Sequence, residues 1–271
     1  MHKSNSINEL YDIIFIYENL FNLLNDKSIG LTCCSHYNFI TENHIYNYIS
    51  ETLKSINILL EHNKFTDSFT LVRKLYELVI LHIYFIQYKK EYDKKSKILQ
   101  DINNLDIILK WTIDFPDFLF NTNKQTENIF QLPFFKEQIK FLKKSSSLDP
   151  LHNIINKHKL ITKAKELKKR SNGFVHHNKF IYILTNSSNI FTQKHKEKLL
   201  NRIIEDIKII TTLHMAYLFY FLKTVHNICI PPIIKYPEHN GFSYLFFLED
   251  EIKQNLNSLS PSLLEDIETS L

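Results

Sequence analysis

Three glycines, Gly30, Gly173 and Gly241, are all that 271 residues contain, and this scarcity closes most routes to a sheet-built fold. Tight hairpins and glycine-rich phosphate loops both need residues that tolerate positive φ or the close approach of another backbone. An all-β architecture and the glycine-fingerprint nucleotide-cofactor folds are therefore excluded, and the expected fold class is all-α. Apolar residues recur at three-and-four spacing along the chain, as amphipathic helices require.

Leu10, Ile13, Ile14, Tyr17, Leu20, Phe21 and Leu24 mark a first helix ending near Asn25, with Ser6 and Glu9 as a capping box. Asp26–Tyr37 reads as a loop, and Thr41 opens a second helix to Glu61 that buries Ile45, Tyr48, Ile49, Leu53, Ile56 and Leu60. The strongest pattern is Phe65–Tyr92, whose inward stripe is Phe69, Val72, Leu75, Tyr76, Val79, Ile83 and Ile86. Thr192 caps a long helix to Val225, predicted to pack against Phe65–Tyr92. A weaker pattern at about 94–150 reads as a helical insertion, broken at Phe115-Pro116-Asp117-Phe118 and closed by the linker-like Ser145–Pro150. Phe180–Leu184 reads as extended, and Tyr244–Leu248 as a strand. The layout is thus a helical domain over 1–230 with its insertion, followed by a small mixed C-terminal appendage over 231–271.

Hydrophobic residues at 44% and charged residues at 23% suit a globular chain with a real core. The net charge of +4 is a weak pointer to nucleic acid in a chain so rich in Lys, Asn and Ile generally. Cys33, Cys34 and Cys229 form no disulfide framework, which fits reduced thiols and a cytoplasmic location. No basic-apolar-small leader pattern opens the chain. The most apolar stretch, Ile209–Ile234, is interrupted by His214, Lys223, His226 and Pro231-Pro232, so a core helix is expected and no membrane partner. Thirteen histidines include no H-E-x-x-H and no compact ligand array, so neither metal nor cofactor is expected.

Chemistry concentrates in Lys168-Lys169-Arg170-Ser171-Asn172-Gly173-Phe174-Val175-His176-His177-Asn178. A guanidinium followed within about two helical turns by imidazoles can hold a phosphate and move a proton. Lys163, Lys165, Lys168, Lys169 and Lys179 surround it as candidate nucleic-acid contacts, with Glu166 as the lone acid between Lys157 and Lys179. Upstream, Arg73 and Glu77 share a helical face and can pair, either as a plain surface ion pair or as residues that position the site. The acidic segments Glu249–Asn257 and Pro261–Leu271 are suited to covering a basic surface or meeting a partner.

Asn172-Gly173-Phe174-Val175-His176 resembles the Asn-x-x-Val-His core of HEPN-family ribonucleases, whose signature is Arg, four to six residues, then His. Five residues separate Arg170 from His176, and six separate it from His177. The helix bearing Arg73 and Glu77 is similar to the early core helix of HEPN-like proteins from defence loci. The resemblance implies a multi-helix HEPN-like bundle and a homodimer with two motifs facing one cleft. It also implies a toxin or antiviral-defence endoribonuclease cleaving RNA without metal, under a neutralising or activating protein partner. Arg170 would stabilise phosphoryl charge, His176 or His177 would transfer the proton, and Ser171 and Asn172 would position. His176 is the first choice because it fits the Val-His pattern, and His177, which shares the helical face of Arg170 better, is the second. A helical component of such a system that binds nucleic acid or a partner without cleaving is the alternative.

Overall fold

The structure, a computed structural model, describes residues 5–27, 33–96, 135–145, 149–175, 185–186, 191–229 and 242–271. These residues form nine helices and, among themselves, no strand. In chain order they are α1 (Asn5–Lys27), α2 (Cys33–Glu61), α3 (Phe65–Ser96), α4 (Phe135–Lys144) and α5 (Asp149–Lys157), then α6 (Leu160–Val175), α7 (Gln193–Cys229), α8 (Phe242–Leu259) and α9 (Pro261–Ser270). The fold is all-α. No helix among the described residues is long and apolar enough to cross a membrane.

The apolar stripes meet where α1, α2, α3 and α7 pack side by side, and α3 packs along α7 as their spacing predicts. Leu10, Ile13, Tyr17 and Leu20 of α1 join Ile49, Leu53 and Ile56 of α2, Val72, Leu75 and Val79 of α3, and Ile203, Ile207 and Ile210 of α7 in one cluster. Glu9 pairs with Lys208 at 2.8 Å and Tyr17 bonds His214 at 3.0 Å, so α1 and α7 run in the same sense. α6 lies against both α3 and α7. Its Phe174 stacks on Phe69, ring centroids 4.1 Å apart, which anchors the last turn of α6 near the start of α3.

Several local expectations are corrected. Helix α2 already begins at Cys33, inside the expected loop, and α1 begins at Asn5, one residue before the expected cap Ser6. Tyr46 takes the buried place expected of Tyr48, which is 45% exposed and carries the Lys74 ammonium 4.9 Å from its ring centre. Tyr244–Leu248 is helical, part of α8. Leu248, Ile252 and Leu256 of α8 with Leu263, Leu264 and Ile267 of α9 join the same core cluster. Thr192 does precede a helix, and its carbonyl accepts the amides of His195 and Lys196. Phe180–Leu184, the 115–118 turn and most of the 94–150 insertion lie outside the described residues.

Two chain reversals use non-glycine residues at positive φ. Asn63, at φ 56°, ends α2, with Lys64 N–H bonded to the Leu59 carbonyl and Asn63 N–H to that of Leu60. That is the Schellman arrangement, in which asparagine is the usual substitute for glycine. Lys159, at φ 57°, makes the corresponding reversal between α5 and α6. The N-terminus of α3 is capped from far away in sequence. Asn186 accepts the Thr66 amide at 2.9 Å and donates to Asp67 at 3.0 Å.

Candidate nucleic-acid interface

Helix α6 buries Leu160, Ala164, Leu167, Ser171 and Phe174, and this stripe divides its polar residues into two flanks. At about 100° per residue, Lys168 and Arg170 fall on opposite sides of the stripe. The described site residues of α6 therefore lie on two flanks, Lys168 on one and Arg170 on the other.

On one flank Arg170 reaches α7. Its Nε donates to Asp206 Oδ2 at 3.2 Å and one terminal nitrogen donates to Asp206 Oδ1, a fork-shaped pairing. The Asp206 side chain is 0% exposed and that of Arg170 is 24% exposed. Arg202, one turn before Asp206, places its Nε 3.7 Å from the same Oδ1 and bonds the exposed Glu205 at 2.8 Å. Burial raises the pKa of Asp206, and the guanidiniums of Arg170 and Arg202 oppose that rise. Lys163, seven residues before Arg170 and so on the same flank, is exposed.

On the other flank Lys168 lies beside α3, whose Arg73 and Glu77 form the ion pair expected from their spacing. Burial, followed by the charges of Arg73 and Lys143, lowers the Lys168 pKa against the opposing pull of Glu77. Lys143 comes from α4, which packs on α3 and carries Lys136, Lys140, Lys143 and Lys144 against Glu137. Asn172 follows Lys168 by one turn on this flank and is partly exposed. Lys165 and Lys169 are exposed between the flanks, and neither has an ion-pair partner among the described residues.

Ser171 is fully buried and donates to the Lys168 carbonyl at 3.2 Å, a local bond that any helix can accommodate. Gly173 has no positive φ, so α6 continues unbroken through it to Val175. His176, His177 and Lys179 lie outside the described residues.

His82, one turn beyond Glu77, turns into the core. Its Nδ1 bonds His214 Nε2 at 2.8 Å, and His214 Nδ1 bonds the Tyr17 hydroxyl at 3.0 Å. The Tyr46 ring stands edge-on to His82, centroids 5.2 Å apart. Burial holds the His82 pKa at about 3, and burial with the neighbouring His82 ring keeps His214 well below its ordinary value. Both rings are neutral at physiological pH and serve as core rather than as acid–base groups.

Sequence reasoning missed Asp206 and His214. Each sits on the apolar stripe of α7 among Ile203, Ile207, Ile210 and Leu213. A carboxylate or imidazole at a stripe position must find a partner, and that is the signal that would have revealed them. No group of three or more His, Cys, Asp and Glu side chains suited to a metal ion occurs among the described residues.

The lower terminus of the basic run is already occupied. Asp266 of α9 bonds Lys157 and His158, each at 2.7 Å, so the acidic C-terminal helix covers the start of the run. Compared with known proteins, the chain matches no family model, no curated protein and no solved structure.

Proposed function

We propose that the protein binds RNA across the lysine-rich faces of α4 and α6 and cleaves it without a metal ion, through Arg170 and the His176–His177 pair. The observation that carries this reading is the concentration of exposed lysines on two helices that both pack on α3: Lys136, Lys140, Lys143 and Lys144 of α4, and Lys163, Lys165 and Lys169 of α6. Such a surface attracts a phosphate backbone.

In the proposed reaction a histidine removes the proton of a ribose 2′-hydroxyl, the 2′-oxygen attacks the adjacent phosphorus, and the 5′-oxygen leaves with a proton supplied by a second acid. The products are a 2′,3′-cyclic phosphate and a free 5′-hydroxyl. Arg170, held at the end of α6, stabilises the charge that builds on the phosphoryl oxygens. A homodimer bringing two motifs together and a controlling protein partner belong to the same reading, on the strength of the HEPN-like motif. Binding without cleavage is the second reading. It is favoured by the Asp206 carboxylate, which balances the charge of Arg170 in the free protein.

The test is incubation of purified protein with RNA, with and without EDTA, and mapping of product ends. Cyclic-phosphate ends in EDTA, lost in Arg170→Ala and in one of His176→Ala and His177→Ala by about 10²-fold or more, are expected. RNA retained on the protein with no new ends supports binding alone.

A further inference from the structure

We infer that Asp206 is a positioning residue that holds Arg170 and Arg202 together as a two-guanidinium seat for one phosphodiester group of RNA. The inference rests on the functional reading above and adds two residues to it, Asp206 and Arg202. One buried carboxylate serves guanidiniums from two helices: Oδ2 takes Arg170 Nε at 3.2 Å, Oδ1 takes an Arg170 terminal nitrogen, and Arg202 Nε stands 3.7 Å from Oδ1. A single arginine already satisfies a buried carboxylate, so the second is not needed to neutralise it.

An arginine has five N–H donors, and Asp206 takes two from Arg170. The rest find no partner among the described residues. Arg202 gives one bond to Glu205, and Glu205 is itself 54% exposed. An ion pair three residues apart with both side chains open to water holds weakly, whereas the buried fork at Asp206 persists because breaking it strands a desolvated charge. An incoming phosphate therefore displaces Glu205 from Arg202 and leaves the Asp206 pairing intact. Arg170 is thus fixed in direction before the ligand arrives, and Arg202 is held near it by its attraction to the same carboxylate, 3.7 Å away. Lys163, on the Arg170 flank of α6, extends the seat toward the rest of the strand.

The experiment measures affinity of the full chain for a labelled single-stranded RNA as a function of salt, and steady-state cleavage of the same RNA. Arg202→Ala is expected to weaken binding roughly tenfold, the worth of one charge-assisted hydrogen bond, and to lower the salt slope by about one. Glu205→Gln, which removes the competing carboxylate, tightens binding. Asp206→Asn keeps or tightens affinity, because it removes a negative charge, yet lowers kcat at least tenfold with little change in KM. A merely structural Asp206 would lower the melting temperature and leave kcat of the folded protein unchanged. If Asp206→Asn does not fold, Arg170→Lys takes its place: it retains the charge without the fork, so kcat falls while the salt slope stays.

An unchanged affinity and slope in Arg202→Ala, in a wild-type protein that binds RNA, overturns the seat and leaves the functional reading standing. A wild-type protein that binds RNA without cleaving it loses the cleavage reading, and the Arg202 and Glu205 effects on affinity still decide the seat. If it binds no RNA, titration with inorganic phosphate followed at the Arg170 and Arg202 Nε resonances separates the two. Shifts of both support the anion seat without RNA, and no shift overturns it.

Discussion

At His82 burial works against positive charge, and at His214 burial and the neighbouring His82 ring do so together. In the unfolded chain each imidazole titrates near its ordinary value of about 6.5. In the folded chain His82 titrates at about 3 and His214 well below the ordinary value. The unfolded state therefore binds protons that the native state refuses. Stability is complete above about pH 6.5 and falls as the pH drops toward the native values, with a slope approaching about 1.4 kcal/mol per pH unit for each ring. The urea midpoint is expected to fall between pH 7 and pH 5, and a flat midpoint would show that the folded protein accepts the protons. His214 was visible in the sequence only as an interruption of an apolar stretch, because spacing rules count a polar residue as a gap. Its partner Tyr17 lies 197 positions away, a distance over which no local pattern operates. Arg73 and Glu77 were legible for the opposite reason, since a four-residue separation fixes the pair within one helix.

Helix α3 shows what the same logic yields for an element. Its stripe was readable throughout, since Phe69, Val72, Leu75, Tyr76, Val79, Ile83 and Ile86 are all buried. Its capping residue was not, because Asn186 comes from the segment before α7. Asn186→Ala removes both the acceptor for Thr66 N–H and the donor to Asp67, and is expected to lower stability by about 1 kcal/mol. Urea unfolding measures it, and an unchanged midpoint would assign the cap no energetic role. The strand expected at Tyr244–Leu248 failed for a readable reason. Its run of bulky apolar residues suits a strand taken alone, but Leu248, Ile252 and Leu256 continue it at a four-residue period, and all three are buried. The long-range helical stripe overrides the local preference.

The whole molecule depends on its C-terminal helices. Six aliphatic side chains of α8 and α9, Leu248, Ile252, Leu256, Leu263, Leu264 and Ile267, lie in the common core. At about 1.5–3 kcal/mol each their burial amounts to about 10 kcal/mol or more, comparable with the ~5–15 kcal/mol that separates most folded domains from unfolding. Lys223–Glu249 ties α8 to α7 and Lys253–Glu268 ties α9 to α8, each at 2.5 Å. A chain ending before Phe242 is expected to be insoluble or rapidly proteolysed, and a soluble, cooperatively melting product would refute that dependence. Composition and periodicity made the helical class legible at this scale. The division of α6 into two flanks was not, because it depends on which neighbours α6 meets.

That division has a mechanical meaning. A helix seated by an apolar stripe alone can roll about its own axis, and the direction of its exit rolls with it. On α6 that roll is stopped by two different neighbours: Asp206 of α7 holds Arg170 by its fork, and Phe69 of α3 stacks on Phe174, with Leu167 and Ser171 buried in the same stripe. Because one contact is polar and the other apolar, no single solvent condition loosens both, and the direction in which α6 ends is set by α3 and α7 together.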